Sequence, residues 1–163
     1  MLPSFKPGNL VETVVSALAA SGLEPQRLEL EITESVLIED GEAAMATLCQ
    51  LRELGVRLAL DDFGRGYSSL SYVRSFSFDR IKIDRTFAGA DTGSRAIVRA
   101  VAQLGTSLGL ATTAEGIETE EQLNAARAEG CTEVQGYLFS PPRPAGEIQH
   151  LLASAVRSTI RAA

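Results

Sequence analysis

Residues 42–62, EAAMATLCQLRELGVRLALDD, change their apolar period partway along, and that change decides the fold. Up to Leu54 the apolar residues recur three and four apart, as on the buried stripe of a helix that Asp40 and Gly41 open. Gly55 then supplies a helix stop, and Val56 to Asp62 is a short apolar run that closes on two acids, the pattern of a buried strand.

The same helix, stop and strand recur on both sides. Upstream, residues 9–21 (NLVETVVSALAAS) read as an amphipathic helix closed by Gly22, followed by an alternating strand RLELEI at 27–32. Downstream, a connection at 67–76 leads into DRIKID at 79–84. Ser94 is placed to cap the helix RAIVRAVAQLGTSLGL, and a fourth strand runs from about Leu110 to Glu115. Thr119 and Gln122 have the spacing of a capping box for a helix that Gly130 ends. TEVQGYLF is the last expected strand, and a final helix is expected over about 145–158. Five strands separated by helices predict an α/β fold with a parallel sheet, because each crossover returns the chain to the same strand direction.

Composition sets limits on function. The chain has 163 residues, 45% of them hydrophobic, enough for one core, and no linker divides it, so residues 1–163 read as a single domain. Its net charge is −6, and its 15 Lys and Arg residues are scattered, which argues against DNA, RNA or an anionic membrane surface as partner. Cys49 and Cys131 have neither the number nor the spacing of a disulfide framework or zinc site, and a reducing cytoplasm fits best. The N-terminal stretch has no apolar signal core, and no window reaches the ~18 apolar residues of a spanning helix.

Polar side chains gather near the C-terminal ends of the expected strands: Glu31, then Asp61 and Asp62, then Lys82 and Asp84, then Glu115, then Gln135. In a βα barrel those ends share one face, where active sites are built. Acids at strand ends also cap helices without doing chemistry, so no single one carries the argument. Clustered carboxylates raise one another's pKa unless a cation sits among them, and hard divalent ions such as Mg²⁺ and Mn²⁺ prefer such oxygen ligands. The pair Asp61 and Asp62 before Phe63-Gly64 is the strongest local hint of a metal site. Lys82, inside an apolar alternation, either faces that polar cluster, where it can hold a water or phosphate oxygen, or is exposed on a strand edge.

Five segments, LELEITES (28–35), LALDDFGRGYSSL (58–70), IKIDRTF (81–87), TAEGIET (113–119) and QGYLFSPP (135–142), resemble in order the motifs of EAL domains, which hydrolyse cyclic di-GMP. The resemblance implies a partial (β/α) barrel of TIM type and a site with two Mg²⁺ or Mn²⁺ ions that cuts cyclic di-GMP to linear pGpG. It also implies roles: Glu31 as a metal ligand, Asp61 as the carboxylate serving both metals, and Asp62 as a ligand of the second. Lys82 would hold the attacking water, and Glu115 would be its base or a further metal partner. Glu118 and Gln135 would support the site, while Glu34 and Asp84 would hold the loop after Asp62, a metal and dimerisation switch.

The pattern departs from the family in one respect. A full barrel takes eight strands and ~250 residues, whereas five strands are expected here. The resemblance starts near Ser4-Phe5, and no E-A-L tripeptide occurs in the sequence. The expectation is a truncated domain lacking its N-terminal strands, the namesake glutamate and a metal-binding asparagine, with little or no activity alone. An unclosed barrel leaves strand edges unpaired, so self-association or pairing with another chain is expected. The alternatives are a non-catalytic module that binds cyclic di-GMP or a protein, and a remnant without function. Arg65 reads as a solvated loop residue, His150 as a surface residue of the last helix, and Cys49 as part of a buried helix face.

Overall fold

The computed structural model describes residues 7–39, 41–64, 73–74, 76–89 and 91–149. Helix α1 (Pro7–Ser21) leads through a short 3-10 turn to strand β1 (Glu29–Thr33). Helices α2 (Glu34–Glu39) and α3 (Gly41–Glu53) precede β2 (Arg57–Phe63) and β3 (Arg80–Ile83). Helix α4 (Thr92–Leu108), β4 (Ala111–Ala114), α5 (Glu120–Ala128) and β5 (Glu133–Val134) follow. The strands form one sheet in the order β1-β2-β3-β4-β5, parallel throughout, as the repeated helix-and-strand pattern requires.

Alternation along the strands sorts the side chains onto two faces. On one face Ile32, Leu58, Leu60, Ile81 and Ile83 are buried, in a core with Leu48 and Leu51 of α3 and Val98 and Val101 of α4. A smaller cluster of Ala114, Ile117, Leu123 and Ala126 packs α5 against β4. The other face carries Glu29, Glu31, Ala59, Asp61, Arg80, Lys82, Thr113 and Glu133, which the strand register sets on the same side. The apolar core therefore lies between sheet and helices, and the opposite face is polar.

Several expectations change. Asp91, not Ser94, caps α4: its carboxylate accepts from the amides of both Gly93 and Ser94, so the helix starts at Thr92, before the apolar stripe that marks it in sequence. The short α2 follows β1 with no turn residue to announce it. The fifth strand covers two residues rather than eight, because the Ile117 carbonyl takes the amide of Leu138 and the chain turns after Gly136. Cys49 is exposed, since Ala44, Thr47, Leu48 and Leu51 form the buried stripe of α3 and Cys49 lies off it. The Thr119 and Gln122 capping box is present as expected. Residues 145–149 are helical; the rest of the expected last helix, with His150, lies outside the described residues, as do Asp40, Arg65 and most of the 67–76 connection. Among the described residues no helix is long and apolar enough to cross a membrane.

Candidate functional site

Lys82 decides the character of the polar face. Its side chain is 5% exposed, and its ammonium lies 2.6 Å from Glu31 Oε1, 2.7 Å from Glu115 Oε1 and 3.4 Å from Asp61 Oδ1. Of the two readings open in sequence, the structure takes the inward one. β1, β2, β3 and the end of β4 each deliver one of these four groups.

The electrostatics follow from that geometry. Burial alone would lower the pKa of Lys82, but the hydrogen bonds it donates to Glu115 and Glu31, with the charges of Glu115 and Asp61, outweigh it and hold the ammonium well above its ordinary range. Glu115 is pushed up chiefly by burial, with Asp61 and Glu31 adding to the effect and Lys82 opposing it. The lysine is thus the cation that lets three carboxylates converge.

Asp61 and Asp62 sit at an irregularity. Leu60 pairs with Ile81 and Phe63 with Ile83, so the two aspartates together stand opposite the single residue Lys82. Asp62 has φ 56°, in the left-handed region that Asp tolerates better than most residues. A bulge of this kind re-aims side chains at the cost of local strain, a device common beside active sites.

The remaining expected residues divide. Asp84 is buried and caps the 3-10 turn Arg85–Phe87, accepting from the Thr86 amide at 2.9 Å and the Thr86 hydroxyl at 2.6 Å. Glu34 is buried at the start of α2. Most of the loop that Glu34 and Asp84 were expected to hold, residues 65–70, lies outside the described residues. Gln135 follows Glu133 by two residues and is bound through its backbone to Ala114 and Ile117, with its side chain exposed. Glu118 is exposed at the entrance to α5, its amide donating to Gln122. Glu31, Asp61 and Glu115 therefore each contact Lys82, and Glu118 is tied to a helix cap.

The donor chemistry fits a hard divalent cation. Three of the four convergent groups are carboxylates, and among the described residues Asp61 Oδ1 is buried without a hydrogen-bond partner, with the Lys82 ammonium at ion-pair distance. Among the described residues, however, no three His, Cys, Asp or Glu side chains are gathered closely enough to hold a metal by themselves. The set is a fit in kind and incomplete in number.

A second charged layer, which sequence reading did not single out, lies two residues towards the N-terminal end of the strands. Arg80 is 13% exposed; its Nε is 3.0 Å from Glu29 of β1, and its Nη1 donates to Glu133 of β5 and to Thr113 of β4 at 2.8 Å. The signal available in sequence was the alternation itself: Glu29 with Glu31, Arg80 with Lys82, Glu133 with Gln135.

A family model described as EAL domain matches residues 4–142. The chain is 52% identical over 162 residues to a Sinorhizobium fredii protein, y4lL, covering 98% of this chain and 19% of that one. It is 42% identical over 153 residues to MucR of Pseudomonas aeruginosa, named as a bifunctional diguanylate cyclase/cyclic di-GMP phosphodiesterase, covering 92% of this chain and 22% of that protein. The chain thus spans about a fifth of the length of these curated relatives. Its fold is similar to the crystal structure of the EAL domain of Mycobacterium smegmatis DcpA, with a TM-score of 0.84 and 42% identity, over 92% of this chain and 70% of that one. It is also similar to Klebsiella pneumoniae BlrP1 in a manganese and cyclic di-GMP complex, with a TM-score of 0.78 and 36% identity, over 83% of this chain and 37% of that one.

Proposed function

This chain belongs to the EAL domain family, and from that premise we propose that it forms part of a single, metal-dependent phosphodiesterase domain that hydrolyses cyclic di-GMP to linear pGpG. The observation that carries the reading is the buried Lys82 ammonium ringed by Glu31, Asp61 and Glu115 on the polar face of a parallel sheet. Manganese together with cyclic di-GMP in the similar BlrP1 complex supports the choice of ligand class.

In this reading Glu31, Asp61 and Asp62 hold Mg²⁺ or Mn²⁺. A metal held there would supply an activated water and stabilise the leaving oxygen. Lys82, released from some of its carboxylate contacts when metal neutralises them, orients that water or a phosphate oxygen. Glu115, whose burial already raises its proton affinity, takes the water's proton. Glu34 and Asp84 hold the loop that follows Asp62, and Gln135 and Glu118 support the nucleotide side of the face.

We further propose that residues 1–163 by themselves hydrolyse little or no cyclic di-GMP and rely on further ligands and strands, reached through another segment, a second copy or another chain. Among the described residues, the incomplete grouping of carboxylates and the lack of a strand beyond β1 or β5 support this. The cytoplasm is the proposed compartment. The same internal neutralisation of the carboxylates by Lys82 favours a second reading, a non-catalytic module that binds cyclic di-GMP or a partner protein.

Calorimetric titration with cyclic di-GMP, with and without Mn²⁺, tests the site. Metal-dependent binding that Asp61→Asn weakens is the expected result. Binding that ignores both the metal and Asp61 would place the nucleotide elsewhere.

A further inference from the structure

Arg80 touches both edges of the sheet. β1 and β5 are separated by four strand spacings, ~19 Å if the sheet were flat. Yet the guanidinium on the central strand β3 pairs at once with Glu29 of β1 and Glu133 of β5, and it donates to Thr113 of β4 as well. The two edges must curl towards each other over the polar face for one side chain to reach both. Lys82 lies two residues further along the same strand and face, and its carboxylate partners Glu31 and Glu115 lie two residues beyond Glu29 and Thr113. Arg80 thus grips the sheet one layer below the point where the site converges.

We propose that Arg80 is a positioning residue: by holding Glu29 and Glu133 together it sets the curl of the sheet that brings Glu31, Asp61 and Glu115 onto Lys82. The inference rests on the reading of the Lys82 face as the functional one. The guanidinium meets Glu29 as an ion pair through Nε and hydrogen-bonds Glu133 and Thr113 through Nη1, whereas a lysine offers one point charge, so Arg80→Lys keeps the charge and loses the grip.

The test uses the metal-free protein and the ¹⁵N resonance of the Lys82 ammonium, assigned by its loss in Lys82→Met. Enclosed by carboxylates, that ammonium exchanges slowly with water and gives a visible signal. Arg80→Met and Arg80→Lys are expected to lose it, while Val101→Ala, which destabilises the core without touching either charged layer, keeps it. If Arg80→Met does not fold, Glu133→Gln, altering a half-exposed partner, carries the same expectation.

Retention of the signal in the Arg80 variants, its loss in Val101→Ala as well, or its absence from the unmodified protein would each overturn the proposal. A second arm measures Mn²⁺ by electron paramagnetic resonance, where Arg80→Met is expected to lower affinity by ~10- to 100-fold. Failure of the unmodified protein to bind Mn²⁺ would strike the functional reading, while the ammonium signal would still decide the role of Arg80.

Discussion

At the level of single residues, the sequence marks polar side chains near the strand ends and leaves their pairings open. Lys82 interrupts an apolar strand, and only the fold shows it neutralising carboxylates from three other strands. Lys82→Met should therefore cost about 1–3 kcal/mol of stability in urea unfolding of the metal-free protein, since it leaves carboxylates facing one another without a cation. The figure stays modest because Glu31 is half exposed and regains water. The two thiols give a sharper contrast. Burial, with the charge of Glu129 added, pushes the Cys131 thiol up to about 11, whereas Cys49 is exposed. A thiol whose folded pKa is raised contributes stability that is complete below its ordinary value near 9 and is lost as pH rises through about 11. A thiol reagent near neutral pH should thus modify the exposed Cys49 quickly and the partly buried Cys131 markedly more slowly; equal rates would contradict the difference in burial. Sequence periodicity misplaced Cys49 because a helix stripe about half a turn wide leaves its margins undetermined.

At the scale of elements, period and punctuation located five strands and most helices, while ends depended on side-chain bonds that spacing does not reveal. Asp91→Ala should lower the midpoint of thermal or chemical unfolding, because it removes the acceptor for two amides at the start of α4. Ser94→Ala, which leaves that acceptor in place, should lower it clearly less. The shortened β5 has a similar cause. A Cβ added at Gly136 would fall onto the backbone of Ile117, so the chain beyond β5 approaches the turn before α5 more closely than any side chain permits. Gly136→Ala should destabilise by about 1–3 kcal/mol, as other overpacked contacts do. Nothing in the alternating run TEVQGYLF distinguishes this close approach from an ordinary strand, which is why eight extended residues were expected there. The bulge at Asp61 and Asp62 was legible only as a pair of acids; that both stand opposite Lys82 required the register of β2 against β3.

At the scale of the whole molecule, the parallel order of the sheet and its polar face follow from the repeated units and from the two-residue alternation within each strand. The curl of that face does not, since it depends on Arg80 joining strands at opposite edges. Among the described residues β1 and β5 have no further strand beside them, so sedimentation of residues 1–163 is expected to show association that deepens with concentration, and a strictly monomeric species would contradict this. Asp61 and its neighbours are proposed as the catalytic face of a cyclic di-GMP phosphodiesterase that residues 1–163 do not complete alone. The most direct test is pGpG formation with Mn²⁺, by residues 1–163 alone and joined to the remaining strands of the MucR EAL domain, each beside its Asp61→Asn variant. Turnover is expected from the joined domain, abolished by Asp61→Asn, and little or none from residues 1–163. Turnover that survives Asp61→Asn, or vigorous turnover by residues 1–163 alone, would contradict it.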